Sequence, residues 1–544
     1  MKKIVFWIAA SLALILYLFS SFSDPGAKIG QSFQQACQEV IAAQKLESSS
    51  YTSAFKLYNN AVTKLNNITN KYSSSEIALN LFKNQLKIGP YLFLEFKEEI
   101  IPRAKLRADA ENNPLDCSFY AVNLLDTTQY EDKLKLMKAA KLAEISIRYS
   151  EHWRYQKAAS VLTEGKSIVQ TIYSDSFKVS SLTEMAQVLG TAGKKKDALQ
   201  LLYQAETILK TMVQSEQPPA LLKIISAYCL IEEFASAEEL LTQIKNTTQN
   251  DAWAIISQNY AIKGNLRTAL KTVANVKDDH LQAETFRVII NEYAANGRYE
   301  KAEELTEKIA PLNIDQKTKA LADIAFNAGK KGERDLAVSY FEQAIKAANQ
   351  FESHELPQKL SALNYIAFRL VQLQDNKNAA QLLESNSALA KNMSEFNRAE
   401  AFAEIVVAYG QIGESEKSIK LIKTYIPDYL TIDIQGNTLS RLALQYANQS
   451  QYPKALELAN QINDETTLLE VNRASVLSQI AIISAAAGDY QIALQIAKEI
   501  TCPFYRPWTF GEIALQIPSN RLPFHKRTEV KQFLHQIISE LEHN

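Results

Sequence analysis

Apolar residues recur along most of the chain at the three-to-four-residue spacing of amphipathic helices, and short polar segments interrupt them. One pattern returns repeatedly: an apolar helical stretch, then Gly or another turn-forming residue, an aromatic residue two positions later, and a small residue three positions after that. Its clearest copies are Gly297–Ala302 (GRYEKA) and Gly488–Ala493 (GDYQIA). The pattern predicts pairs of helices joined by tight turns.

Two marker positions stay nine residues apart in every copy of the pattern. The small residue is the first marker, and it recurs at intervals of 32 to 43 residues as Ala158, Ala198, Ala237, Ala269, Ala302, Ala337, Ala380, Ser418, Ala455 and Ala493. The second marker stands nine residues earlier and is tyrosine in six copies: Tyr149, Tyr228, Tyr260, Tyr293, Tyr409 and Tyr446. One helical hairpin cannot bury its own apolar stripe, so the copies must stack. The predicted fold class is all-α, an α-solenoid of antiparallel hairpins.

The pattern resembles the tetratricopeptide repeat (TPR) family. Trp253, Tyr260, Gly264 and Ala269 stand where that family's two-helix signature has a large apolar residue, Tyr, Gly and Ala. The resemblance covers about residues 138–515, although most units exceed the family's 34 residues and few carry the proline that closes its second helix. It implies a superhelical, TPR-like array whose first helices form a concave face for a protein or peptide partner.

The N-terminus predicts a membrane-related segment. Lys2 and Lys3 precede an apolar run from Ile4 to Phe19, and the next charge is Asp24. Residues 1–23 therefore indicate a secretory signal peptide or an uncleaved membrane anchor, and the sequence leaves both alternatives open. Because the lysines should stay in the cytoplasm, we expect the rest to be exported, to the periplasm of a bacterium, tethered to the inner membrane where the helix is kept.

Three further regions follow. Residues 24–130 are helical in period but irregular and TPR-like, residues 131–520 form the repeat array, and residues 521–544 predict a C-terminal capping helix. One face of that helix is apolar and consists of Val530, Phe533, Leu534, Ile537, Ile538 and Leu541. We expect it to cover the last hairpin, with docking on a membrane surface as the alternative.

Composition narrows the function. The 544 residues include 59 Lys and Arg against 60 Asp and Glu, a near-neutral balance that argues against a nucleic-acid-binding surface. The four cysteines are too few for a disulfide framework. Either Cys37 pairs with Cys117, or all four are buried free thiols.

Catalytic and metal-binding motifs are missing from the sequence. The six histidines are scattered, and no metal motif, nucleophile motif or complete phosphate loop is present. The chain is therefore expected to be no enzyme and to hold no metal or cofactor. The alternative is an envelope enzyme or ligand-binding protein framed by the solenoid. Its carboxylates would come from segment 84–130, which contains Glu95, Glu98, Glu99, Asp109 and Glu111.

The resemblance also implies a place for the partner, since some TPR proteins grip a C-terminal carboxylate with Lys, Arg and Asn of their first helices. Arg287 and Asn291 lie one helical turn apart on that face, and Lys319 comes from the next unit. Asp323 stands where the family has Asn, and its charge opposes a bound carboxylate. Gln258 and Gln411 are expected to line the same groove as neutral hydrogen-bonding groups. The predicted function is a non-catalytic scaffold for protein–protein interaction.

Two charged series accompany the first helices. A base stands seven residues before the first buried apolar position: Lys138, Lys178, Lys317, Lys359, Arg398, Arg473 and Arg506. An acid stands one residue before that position: Glu144, Glu184, Asp323, Glu404 and Glu512. The series predict a ladder of salt bridges between hairpins, or a basic edge for acidic partners or lipid headgroups. The aromatic residues of segment 504–510 either pack between repeats or contact a partner.

Overall fold

The computed structural model describes residues 112–125, 132–242, 248–309, 313–426, 432–462, 472–517 and 524–542, with single residues between 35 and 110. The predicted signal or anchor segment, residues 1–23, lies outside the described residues, as does Cys37. Within the described ranges, no helix combines the length and the apolar character needed to cross a bilayer.

The described part of the chain consists of α-helices joined by turns and two short 3₁₀ segments, without strands. The first twelve helices are α1 (Pro114–Asn123), α2 (Asp132–Glu151), α3 (Tyr155–Thr171), α4 (Asp175–Thr191), α5 (Lys195–Leu209), α6 (Gln217–Leu230), α7 (Phe234–Leu241), α8 (Thr248–Ile262), α9 (Leu266–Thr272), α10 (Asp279–Ala295), α11 (Tyr299–Thr306) and α12 (Ile314–Lys330). The others are α13 (Arg334–Ala348), α14 (Leu356–Gln372), α15 (Asn376–Ala390), α16 (Glu395–Gln411), α17 (Ser415–Tyr425), α18 (Ile432–Asn448), α19 (Tyr452–Ala459), α20 (Arg473–Ala486), α21 (Tyr490–Lys498), α22 (Tyr505–Gln516) and α23 (Phe524–Glu542).

The chain divides into two compact units, and the larger one, Leu125–Thr509, holds the repeats. Helices α2 to α21 form ten successive hairpins, and the first helix of each hairpin packs beside the first helix of the next. This arrangement confirms the prediction of an all-α, solenoid-type helical-repeat array. We call the surface formed by α2, α4 and the other first helices the first-helix face.

Every hairpin turn contains one residue in the left-handed region of backbone space. These residues are Trp153, Gly193, Glu232, Gly264, Gly297, Gly332, Gln374, Gly413, Ser450 and Gly488. At Gly193 the amide of Lys194 donates to the Leu189 carbonyl at 2.8 Å and the Gly193 amide donates to the Gly190 carbonyl at 3.0 Å. This is the Schellman closure of a helix, which satisfies its last carbonyls. The turn prediction is confirmed.

The second sequence marker is explained by the same closure. Its residue is the one whose carbonyl accepts the long turn bond: Arg154 donates to Tyr149 at 2.9 Å, and Arg298 donates to Tyr293 at 3.0 Å. Tyr149 is also fully buried, so one residue ends the helix and fills the core. The closure corrects the marker of the seventh copy. In that copy the Asp375 amide donates to the Leu370 carbonyl, so Leu370 is the second marker. The small residue nine positions later is therefore Ala379, which is fully buried, and not Ala380.

Tyrosines also connect neighbouring hairpins. The Tyr260 hydroxyl donates to Glu238 Oε1 at 2.9 Å, from a first helix to the second helix of the preceding hairpin. Tyr228 donates to Glu206 in the same way. Burial, together with this hydrogen bond to Glu238, raises the pKa of Tyr260 to about 12. The tyrosines therefore stay protonated donors at neutral pH.

The charged series do not form the expected ladder as a whole. Arg506 Nη1 lies 3.2 Å from the carbonyl of Lys498, the last residue of α21, and Arg473 Nε lies 2.8 Å from Oδ1 of Asn460. Arg506 thus caps the negative end of α21, which stabilises a cation there, whereas Arg473 also lies 3.9 Å from the Glu499 carboxylate. Asp323 and Glu404 pair instead with arginines outside the predicted series.

The aromatic side chains near residue 504 pack within the protein. Phe504 is 1% exposed and Phe510 is fully buried, while Trp508 stacks on Phe504 at 5.8 Å between ring centroids. The Lys141 ammonium lies 5.7 Å from the Trp508 ring centroid, so α2 and α22 touch within the larger unit. Of the two alternatives, packing is the one that the structure supports.

The smaller unit joins Met1–Leu124 with Phe510–Asn544. Within it, α23 packs against α1, and Phe533, Leu534, Ile537 and Ile538 are buried. The C-terminal helix thus shares a compact unit with α1, while the cap on the last hairpin and the boundaries 24–130 and 521–544 stay predictions. Its apolar face has a partner in α1. Cys117 of α1 is a buried free thiol, which favours the free-thiol alternative over a Cys37–Cys117 pair.

The left-handed turns predict opposite effects of two matched substitutions. Gly413→Ala places a Cβ in a left-handed conformation with open space around it, so only backbone strain opposes it, and it should lower local stability by about 1 kcal/mol. Gln374→Gly, at the equivalent turn of the preceding hairpin, removes that strain and should raise stability by about 0.5 kcal/mol. Amide hydrogen exchange of the flanking helices measures both. Equal losses would contradict this account of the turns.

Candidate functional site

Four side chains from three consecutive first helices meet on the first-helix face. Arg287 comes from α10, Asp323 from α12, and Tyr365 and Arg369 from α14. They meet because their helices are adjacent and because Asp323 and Tyr365 occupy the same position relative to their turns, five residues before the carbonyls of Ala328 and Leu370 that close those turns. We call this group the arginine–aspartate cluster.

The Asp323 carboxylate is the centre of the cluster and is 2% exposed. Its Oδ1 accepts from the Tyr365 hydroxyl at 2.6 Å and from Arg369 Nε at 2.9 Å, and a second Arg369 nitrogen also contacts it. Its Oδ2 accepts from Arg287 Nη1 at 3.3 Å. Arg287 Nη1 also donates to the Tyr365 hydroxyl oxygen at 3.1 Å. One buried carboxylate therefore links hairpins that are distant in sequence.

Two guanidinium groups face one carboxylate, so the cluster carries an excess positive charge. Burial lowers the pKa of Arg369, but the adjacent Asp323 carboxylate more than offsets this, and the net shift is upward. Burial, reinforced by Asp323, raises the pKa of Tyr365 to about 12. The side chains of Arg287 and Arg369 are 28% and 18% exposed, so each is partly accessible to solvent. At neutral pH the site is cationic.

The cluster retains an unused donor. Arg287 Nε is buried and has no hydrogen-bond partner among the described residues. A buried polar atom without a hydrogen-bond partner costs free energy. The Asp323 charge, which we expected to oppose a carboxylate, is instead matched by two cations. Sequence reasoning had left Arg369 out, and whether the site accepts a carboxylate stays a prediction.

Asn291 forms a second set of polar contacts between neighbouring first helices on the same surface. Its Oδ1 accepts from Asn327 Nδ2 at 3.0 Å, and Asn327 Nδ2 also donates to the Asp323 backbone carbonyl at 2.8 Å. Arg287 and Asn291, predicted together from their spacing, thus do lie together. Their neighbours Asn327, Tyr365 and Arg369 extend the site to six polar side chains.

The other three predicted residues occupy separate places. Lys319 Nζ is paired with Asp315 at 2.8 Å on the same helix. Gln258 Nε2 reaches only the Thr285 hydroxyl, at 3.4 Å, and Gln411 lies at the end of α16. Gln411 Oε1 is nonetheless a buried acceptor with no partner among the described residues. The structure therefore gathers two of the five predicted residues into one site.

Sequence reasoning missed Tyr365 and Arg369. A signal was available, because aligning the first helices on their turns puts Tyr365 in register with Asp323 and Arg369 one helical turn further on. Arg369 also lies over aromatic rings, 4.7 Å from the centroid of Phe326 and 5.1 Å from that of Tyr365. Such stacking holds a guanidinium in place and strengthens its attraction to the ring faces.

A shallow cleft of about 440 Å³ lies further along the first-helix face, between α2 and α4. Glu144, Arg148 and Glu151 line one side, and Val188 and Thr191 line the other. Glu144 is held by Lys141 at 2.7 Å, and although burial raises its pKa, the two nearby cations Lys141 and Arg148 lower it below its usual range. The cleft is mixed in charge, in contrast to the cationic cluster.

In the described ranges, His, Cys, Asp and Glu side chains form no group of three or more that could hold a metal ion. Of the segment suggested for catalytic carboxylates, Glu95, Glu98, Glu99 and Glu111 lie outside the described residues. The alternative of an enzyme therefore stays a hypothesis about that segment.

Comparisons with known proteins add little. No protein-family model matches the chain, and no curated relative does. Ton1535 from Thermococcus onnurineus NA1 is similar over 69% of this chain and 99% of its own, at 14% identity and a TM-score of 0.19. The apo form of the quorum sensor NprR from B. thuringiensis is similar over 59% of this chain and 97% of its own, at 14% identity and a TM-score of 0.24.

A circular tandem repeat protein is similar over 94% of this chain and 97% of its own, at 11% identity and a TM-score of 0.17. All three TM-scores are below 0.5, so none of these likenesses carries an argument about function. The site's own geometry has to carry it.

The cluster predicts a contrast between two carboxylates that each bridge first helices. Asp323→Ala leaves two arginines without their buried partner and should cost about 3 kcal/mol of local stability. Glu404→Ala removes an exposed salt bridge in which Arg441 Nη1 and Nη2 donate to the Glu404 carboxylate oxygens at 2.6 and 3.0 Å. Its loss should cost less than about 1 kcal/mol of local stability. Amide hydrogen exchange of α10 to α14 and of α16 to α18 reports the two costs. Similar costs would show that the cluster is not a buried electrostatic centre.

Proposed function

We propose that this chain is a non-catalytic, TPR-like scaffold that binds a protein or peptide partner on its first-helix face. The observation that carries the proposal is the arginine–aspartate cluster, a cationic and partly accessible site with an unused buried donor, Arg287 Nε. The array provides a continuous surface of first helices on which an extended segment can lie.

The cluster's chemistry suits an acceptor-bearing group of the partner. Two guanidinium groups bind carboxylates and backbone carbonyls through several hydrogen bonds at once. Asn291 lies nearby, where its Oδ1 accepts from Asn327 and its Nδ2 lies 3.5 Å from Glu292 Oε1. Gln411 Oε1, a buried acceptor on α16 without a partner among the described residues, lies farther along the face. A partner segment with an acidic residue or a C-terminal carboxylate at the cluster is therefore the best match.

We place this scaffold outside the cytoplasm, as an exported protein of the bacterial periplasm that is held at the inner membrane where its first segment is retained. The apolar run from Ile4 to Phe19 behind Lys2 and Lys3 supports this location. The near-neutral charge and the lack of motifs for metal or cofactor binding support protein binding over nucleic-acid binding or catalysis. Envelope assembly or secretion are tasks that such a scaffold would serve.

Site-specific photo-crosslinking in native membranes tests the proposal. A photoreactive phenylalanine replaces Lys319, which lies on α12 one helical turn before Asp323. It should give discrete partner adducts, and adding Arg287→Gln and Asn291→Ala should reduce them at least tenfold. This loss is expected because both changes remove donors from the cluster while leaving Arg369 to hold Asp323.

The matched control puts the same probe at Tyr203, 57% exposed on the second helix α5, where no adduct with that partner is expected. Circular dichroism checks that the double variant stays folded. Equal adducts from both probes, or adducts that survive the double substitution, would overturn the first-helix site.

A further inference from the structure

Helix α22 continues the row of first helices beyond the tenth hairpin. Its Thr509 hydroxyl lies 2.7 Å from the Ser478 hydroxyl of α20, and both side chains are buried. Because α20 is the first helix of the tenth hairpin, α22 takes the place that the first helix of an eleventh hairpin would have. Its residues up to Thr509 belong to the larger unit.

The same helix also contacts the opposite end of the row. The Lys141 ammonium of α2 lies 5.7 Å from the centroid of the Trp508 ring, within the range of a cation–π interaction. Lys141 is only 7% exposed, so protein encloses this contact. Helix α22 therefore lies beside the first helix of the tenth hairpin and beside the first helix of the first hairpin.

Helix α2 is buried to the same degree as a helix inside the array. Eleven of its 20 residues are buried, against ten of 17 in α12, which has a first helix on each side. The first helix of an open array would leave one side in water, because no neighbour packs there. The burial of α2 thus agrees with a neighbour on both sides, α4 and α22.

The row of first helices is curved. Arg287 of α10 and Tyr365 of α14 touch at 3.1 Å although α12 packs between their helices. In a flat row the axes of α10 and α14 would stand about 16–20 Å apart. Bending toward the first-helix face brings such side chains together, so this face is the inner side of the curve.

We propose that the larger unit closes its first helices into a circle, and that only an extended segment of the partner reaches the inner face. Eleven helices spaced about 8–10 Å apart give a circle about 28–35 Å in diameter between helix axes. Subtracting one helix thickness of about 10–12 Å leaves an opening of roughly 16–25 Å. A small folded domain is about 30 Å across and stays outside, whereas an extended chain fits.

The two parts of this inference have different foundations. The enclosure follows from contacts within the chain, and only the statement about the partner rests on the proposed function. The arginine–aspartate cluster lies on the enclosed face, so a partner group has to reach it on a segment that extends from the partner's folded part. The enclosure and the proposed function can therefore fail separately.

Size-graded thiol labelling tests the enclosure on the full-length chain. Glu404→Cys places a thiol on the first-helix face, because Glu404 has the same position relative to its turn as Asp323. Tyr203→Cys places the matched control on the second helix α5. The two native side chains are similarly exposed, at 52% and 57%. Both variants also carry Cys37→Ser and Cys502→Ser, and the other two cysteines are buried.

N-ethylmaleimide should label the two introduced thiols at rates within about threefold of each other. A maleimide fixed by a short linker to a folded domain about 30 Å across should label Glu404→Cys at least tenfold more slowly than Tyr203→Cys, because the domain cannot enter the circle. Intact mass measures each rate. Equal labelling of both thiols by the domain-linked reagent overturns the enclosure.

Opening the circle separates enclosure from crowding around Glu404. Trp508→Ala removes the ring that Lys141 contacts and should speed the domain-linked labelling of Glu404→Cys at least fivefold, while Trp508→Phe, which keeps a ring, should not. Amide hydrogen exchange of α2 should rise in Trp508→Ala, and circular dichroism checks that the array stays folded. Slow labelling in a folded Trp508→Ala chain with faster α2 exchange would overturn the closure. If that variant unfolds, the comparison of the two thiols decides.

The photo-crosslinked adducts test the statement about the partner. Partner peptides crosslinked to the probe at Lys319 should come from a segment that limited proteolysis cleaves in the free partner. A crosslinked peptide from a protease-resistant domain overturns this statement, even where the thiols confirm the enclosure. Slow labelling without any adduct would contradict the proposed function and the statement about the partner, and would support the enclosure alone.

Discussion

The array depends on how each first helix ends. Its last carbonyls are satisfied only when one residue enters the left-handed region, and this reverses the chain so that the second helix packs back on the first. The small residue four positions after the closing amide, such as Ala198 or Ala302, is fully buried, which lets the two helices approach closely. Repetition of this one turn sets the register of the first helices. The site on the first-helix face follows from that register.

The register explains why the Asp323 carboxylate can be buried between the first helices. Asp323 is buried because neighbouring first helices bring two guanidinium groups and one hydroxyl to it from both sides. A carboxylate with fewer partners would be costly there. The exposed Glu404–Arg441 pair shows the same inter-helix geometry without burial. The two ion pairs differ in burial. The buried Asp323 carboxylate joins three hairpins, and its two arginines are partly exposed to solvent.

Much of this could be predicted from the sequence, because turn chemistry and helical period are local. The ten hairpins, their turns and the position of Arg287 and Asn291 one helical turn apart all follow from spacing. The shift from Ala380 to Ala379 could not be predicted, since two adjacent alanines fit and Gln374 replaces the Gly that would have fixed the register. Tyr365 and Arg369 were missed because periodicity gives the face of a residue and not the reach of its side chain. Arg287 touches Tyr365 across 78 residues of sequence. The association of α23 with α1 is equally non-local.

The central claim is that consecutive hairpins stack in register, and a cysteine pair measures it most directly. Asn291 and Asn327 belong to adjacent hairpins and touch through their amides at 3.0 Å. With both changed to Cys in the full chain, a short thiol crosslinker should join them within minutes, as read by mass spectrometry. The pair Asn291→Cys with Tyr203→Cys, on a first and a second helix of different hairpins, should stay unlinked. Failure of the first pair to link, or equal linking of both pairs, would contradict the stacked array.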